Sequence, residues 1–252
     1  MKTKKLTLLI LGLAIYSIAE AQINFNVQGK IEGTTPVTKA YLMYQTDQKQ
    51  IIDSAFLKNS NFNFKGNIPS ALPARLWISQ GNSTIDFKNL KEHDNDVLEF
   101  YLEKGVVKIS AKQGNIKNAS VNGAILNNEN NKLRLLLKSA IDSIEANNKQ
   151  LDAAVKKGDE QATEAVLKYL AGNNQYQYLQ SAYLTFAMQN PNSFVALMAL
   201  KKLVDTYVLQ PSPDTIEPVF LKLNQKLKVS TIGRQIETYI RITKIRQETK
   251  EQ

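Results

Sequence analysis

From Ile23 to about Val121 the apolar residues recur mostly at every second position, the signature of strands buried on one face. In "INFNVQGKI", Ile23, Phe25, Val27 and Ile31 face one way while Asn24, Asn26, Gln28 and Lys30 face the other. The alternation returns in "KAYLMYQ", "QIIDSAFL", "NFNFKGNI", "ARLWISQ", "VLEFYLE", "GVVKISA" and "IKNASV", separated by turn formers such as "KNSN", "IPSALP" and "EKG". Short strands at hairpin spacing predict an antiparallel β-sandwich or barrel.

After Asn122 and Gly123 the period changes to 3.6 residues. The stretch "AILNNENNKLRLLLKSAIDSIEANNKQLDAAVKK" puts Leu126, Leu133, Leu137, Ile141 and Ile144 on one helical stripe that ends near Gly158. A second helical stretch runs from Glu160 to Met188 with Gly172 as its break, and a third from "NPNS" through Val208. Pro218 belongs in the first turn of a fourth helix capped at Thr215 or later, because proline is tolerated where its missing N–H has no helical partner. Ser230 caps the last helix, whose Ile232, Ile236, Tyr239 and Ile240 share one face while Ile242 and Ile245 fall on another. The fold class is therefore α+β: a β-sandwich over 22–123, a helical domain over 124–246 and a charged tail over 247–252.

The first 21 residues change the picture of where the chain works. Lys2, Lys4 and Lys5, the apolar run "LTLLILGLAIYSIA" and the small-x-small Ala19-Glu20-Ala21 read as a secretory signal, with the mature chain starting at Gln22. The run is shorter than the roughly 20 residues a membrane span needs, so no membrane anchor is expected. With no cysteine in the chain there is no lipobox, and the expected location is the periplasm, in soluble form. The same absence rules out disulfides, thiolate metal sites and a Cys-x-x-Cys redox pair within this chain. The net charge of +9 is interspersed with acids, which argues against nucleic acid as a partner.

Little here points to catalysis. His93, the only histidine, reads as a solvated loop residue in "KEHDND", and no Gly-x-Ser-x-Gly elbow accompanies it. Asp94 and Asp96 resemble the start of a calcium loop, but the glycine and glutamate such a loop requires are missing. Glu99 and Glu103 flank Tyr101 on the outward face of a half-buried strand rather than forming an acid–base pair. Tyr169, Tyr176 and Tyr183, with Tyr178 and Phe186 nearby, have the heptad spacing of a packing stripe rather than of a stacking platform. No enzyme activity, catalytic residue, cofactor or metal site is expected.

The order and spacing of "FNVQGKIEG", "AYLMYQTDQKQIIDSAFLKNSNFNFKGNIP", "LEFYLEKGVVKISA" and "SVNGAILNNENNKL" resemble the N-terminal domain of unknown function 4369. In Bacteroidetes-type envelope proteins that domain precedes a thioredoxin-like thiol-disulfide oxidoreductase domain of the TlpA and AhpC/TSA kind. "NPNSFVALMALKKLV" and "STIGRQIETYI" look like the helical region that follows it. The resemblance implies an exported, non-catalytic accessory or interaction module of such oxidoreductases, whose partner is a thioredoxin-fold protein or another envelope protein. The family's Trp-Cys-x-x-Cys active site finds no positions here, so no redox residue carries over. The alternative is a stand-alone periplasmic ligand- or glycan-binding sandwich that uses its surface or the sandwich–helix cleft, with Trp77 and the "ISQGNST" turn as first suspects.

Overall fold

The computed structural model describes residues 22–34, 38–46, 49–80, 96–172 and 175–251. The signal segment 1–21, His93, Asp94 and the "GNST" part of the turn after Gln80 lie outside the described residues.

The alternating half forms β1 (Ile23–Glu32), β2 (Thr38–Gln45), β3 (Gln50–Phe56), β4 (Asn61–Ile68), β5 (Leu72–Gln80), β6 (Leu98–Leu102), β7 (Gly105–Lys112) and β8 (Ser120–Asn122). They make two four-stranded sheets, ordered β4-β1-β7-β8 and β3-β2-β5-β6. Neither sheet closes on itself, so the fold is a sandwich and not a barrel. Their inner faces meet through fully buried Val27, Ile31, Leu42, Leu76, Leu102 and Val107. The expected antiparallel order fails at one pair: β1 runs parallel to β7, with Val27 opposite Val107. Such a pair requires a long crossover, and here the whole second sheet supplies it. In the β1–β4 pair, Gly29 lies opposite Phe62 and Gly66 opposite Phe25. A Cβ at Gly29 would stand 2.0 Å from the Phe62 ring, so each glycine leaves room for the aromatic facing it.

The segment "IKNASV" is not one strand. Ile116–Asn118 forms a 3-10 turn and only Ser120–Asn122 pairs as β8. The Asp96 carboxylate accepts the N–H groups of Ile116 and Lys117, which holds the turn, while the Ile116 side chain is wholly buried in the sandwich core.

The helical half comprises α1 (Ile125–Lys157), α2 (Glu160–Gly172), α3 (Gln175–Gln189), α4 (Phe194–Asp205), α5 (Pro213–Lys222), α6 (Gln225–Lys228) and α7 (Thr231–Glu251). Gly158, at φ +66°, terminates α1 as expected. Leu133 and Leu137 are buried on the helix-facing side of α1, but Ile141 is exposed and Ala140 takes its place. Ile141 sits a further 100° round the helix, past the edge of the contact. Helix α4 stops at Asp205, before a 3-10 turn over Tyr207–Leu209, and α7 carries helix through the segment read as a charged tail as far as Glu251. Ser230 caps α7 as expected, its hydroxyl accepting the Gly233 N–H at 3.1 Å.

The start of α5 corrects the sequence reading. Its cap position is Ser212, not Thr215, and Pro218 lies inside the helix. Pro213 at the first helical position gives up a donor that has no partner there, so it outcompetes Pro218 as the start signal. Pro218 then costs the bond its N–H would have made one turn back. Pro218 is exposed, so Pro218→Ala leaves the core untouched. The substitution should stabilise the protein by about 1 to 3 kcal/mol, read as a higher urea midpoint at unchanged slope.

Candidate functional site

Two places combine unusual chemistry with position: the junction of the sandwich with α1 and α4, and the outward face of α7.

The junction grows from β6. Leu98, Phe100 and Leu102 enter the sandwich core, which turns Tyr101 toward the helices, where it packs in the helical core. Its ring meets Phe194 of α4 edge-on, centroids 6.0 Å apart. Glu103, just past the strand on the same side, is buried rather than outward in solvent. Its carboxylate accepts the N–H groups of Leu126 and Asn127, both at 3.0 Å. It thereby caps α1, whose own cap residue Ala124 has no side-chain acceptor to offer.

Asn127 completes the arrangement. Its side-chain oxygen accepts the Tyr101 N–H at 2.9 Å, and its amide donates to the Tyr101 carbonyl at 2.8 Å and to Glu103 Oε1 at 3.0 Å. One side chain thus treats the open edge of β6 as a neighbouring strand would. Farther along α1, Asn131 donates to the Val121 carbonyl of β8 at 2.6 Å. Arg134 donates to the Lys117 carbonyl at 2.7 Å, and Glu145 pairs with Lys117 at 2.8 Å. On the α4 side, Ser193 caps its helix through Val195 and Ala196 and donates its hydroxyl to Glu129. Glu103, Asn127, Asn131, Arg134 and Glu145 thus tie the strands to α1, while the Ser193–Glu129 pair ties α1 to α4.

The other residues singled out by sequence scatter. Glu99 is exposed and pairs with Arg75 at 3.1 Å. Asp96 serves the 3-10 turn described above. Among the described residues no group of three or more His, Cys, Asp or Glu is arranged to hold a metal ion. Trp77 is buried on the face of β5 turned away from the sandwich core, opposite Tyr41 of β2. Phe186 is buried and Tyr176 and Tyr183 pack against the helical core, while Tyr178 is half exposed; the Tyr169 side chain lies outside the described residues. Burial, and then the negative charge of Glu99, pushes the Tyr183 phenol up to about 12 and the Tyr101 phenol further in the same direction.

Asn127 and its role were missed in the sequence. The signal was present: a helix beginning Ala-Ile-Leu after a glycine has no cap of its own, and the poor helix former Asn at its third position invites another use.

On α7, Ile232, Ile236, Tyr239 and Ile240 pack inward, and Lys244 pairs with Glu217 of α5 at 2.5 Å. Ile242 and Ile245 are 41% and 56% exposed, flanked by exposed Arg234, Arg241 and Arg246. An open cleft of about 630 Å³ continues the stripe toward the helix start, lined by Val229, Thr231, Arg234, Gln235 and Thr238. No helix among the described residues is long and apolar enough to cross a membrane.

Residues 25–130 match the family described as Domain of unknown function (DUF4369). That segment runs from Phe25, within β1, through β8 to the first turns of α1, including Asn127. No curated protein and no solved structure matches the chain.

Asn127→Leu should cost about 3 kcal/mol or more, since it leaves the Tyr101 N–H and carbonyl buried without partners; chemical denaturation reads the loss. The tyrosines give a pH signature. An unfolded tyrosine titrates near about 10, so the stabilisation from a raised folded value is complete below that pH. It is lost as pH rises toward the folded value, because the unfolded chain has by then released a proton the folded chain keeps. Tyr183→Phe should therefore flatten the fall of the urea midpoint between about pH 10 and 12.

Proposed function

We propose that this chain is a non-catalytic interaction module of the periplasm, and that it docks a thioredoxin-fold partner of the thiol-disulfide system through the outward face of α7. The observation that carries this reading is the Ile242 and Ile245 stripe, apolar at its centre and bordered by Arg234, Arg241 and Arg246. An apolar strip with a charged rim is the composition of an interdomain or protein–protein contact, and the arginines call for an acidic rim on the partner. The choice of a thioredoxin fold rests on the family resemblance, in which such a domain follows the helical region. The module's contribution is positional. Thiol-disulfide exchange needs a thiolate nucleophile, and any thiolate must come from the partner, because this chain contains no cysteine.

Affinity capture from periplasmic extract, with bound proteins identified by mass spectrometry, tests the reading. The wild type should enrich a thioredoxin-fold protein and the Ile242→Asp, Ile245→Asp double variant should not. No such enrichment, or equal enrichment by both proteins, removes the assignment.

A further inference from the structure

The outer face of the β4-β1-β7-β8 sheet has a composition that neither the junction nor α7 accounts for. Side chains that alternate away from the core place Asn24, Asn26 and Gln28 of β1, Asn63 and Asn67 of β4 and Asn122 of β8 on one surface. Four lysines share that surface: Lys30, Lys65, Lys108 and Lys112. All four are exposed, and among the described residues none is ion-paired. Glu32, opposite Lys112, is the acid of this face. At one end the sheet holds a shallow open depression of about 470 Å³, lined by Asn24, Asn26, Lys65 and Asn67 together with Phe25, Val106 and the glycines Gly66 and Gly105. The amide oxygen of Asn26, one of the lining residues, is buried and meets no hydrogen-bond donor among the described residues.

Amides donate and accept side by side, which suits vicinal hydroxyls. Lysines supply separated point charges, which suit spaced anions. Lys65 and Lys108 lie two strands and one two-residue step apart, roughly 12 Å between backbones. Among the side chains that alternate outward from these paired strands there is no aromatic ring to stack a base and no arginine fork to grip a phosphate. We propose that this face binds a linear acidic polysaccharide, whose carboxylates meet Lys65 and Lys108 and whose hydroxyls meet the amides between them, with one sugar seated in the depression beside Asn24 and Asn67. The inference stands on the strands alone and does not depend on the docking role of α7.

Native electrophoresis of the full chain through gels containing polygalacturonate tests it, with dextran and an oligothymidylate as the other probes. Polygalacturonate should retard the wild type and dextran should not. Lys65→Gln with Lys108→Gln should weaken the retardation roughly tenfold, most strongly at low salt. Asn24→Ala with Asn67→Ala should weaken it at all salt concentrations. Lys156→Gln with Lys157→Gln, which removes the same charge from exposed positions of α1, should match the wild type, as should the α7 double variant. The proposal is overturned by absence of retardation in polygalacturonate, by equal losses from the two lysine pairs, or by tighter binding of oligothymidylate.

Discussion

A carboxylate taken out of water is costly unless hydrogen bonds replace its hydration, and Glu103 is such a carboxylate. Its replacement partners are the first free N–H groups of α1 and the amide of Asn127, so helix and strand each satisfy what the other lacks. The placement of the helical half follows from this exchange. It fixes where α1 begins, and that sets which residues of α1 face the sandwich. Asn127, Asn131, Arg134 and Glu145 reach toward the strands while Leu133, Leu137 and Ala140 face the other helices. A helix with one polar working face and one apolar face joins the two cores without merging them.

The same contact deals with the exposed edges of the sheets. Of the four, β6 and β8 are met by Asn127 and Asn131 of α1. On the other side β3 and β4 are linked by a tight turn that crosses from one sheet to the other, with Leu57 buried and the Ser60 carbonyl accepting the Ile31 N–H at 2.8 Å. Along β3, Asp53 turns its carboxylate back onto the Ser54 N–H at 2.7 Å, placing a charge where another strand would otherwise add. Helix α1 therefore acts on the sandwich as a cover as well as a connection.

Most of the architecture was legible from periodicity because each half buries one continuous face. Period two marked β1 to β7 as strands and gave the inward residues of β1, and period 3.6 placed the packing face of α7 and, except at Ile141, that of α1. What escaped was settled by competition between signals. Pro213 and Pro218 both mark helix starts, and the earlier one won because a full turn including Ile216 could then be buried. The strand pattern of "IKNASV" yielded to Asp96, distant in sequence, which stabilises a 3-10 turn instead. Glu103 looked like a solvent-facing position because alternation tells which residues leave the core, not whether a second core awaits them. The parallel β1–β7 pair was hidden for a related reason, since strand order is set by contacts between segments far apart in the chain.

The change of period at Gly123 marks where strands give way to helices, but it is not where the structure could be divided. A sandwich severed there would keep Glu103 and Tyr101 and lose the side chain that satisfies both. The segment shared with the family runs on to residue 130 and so takes Asn127 with it. The smallest piece in which Glu103 and Tyr101 keep their hydrogen-bond partners is thus the strands together with the first turns of α1.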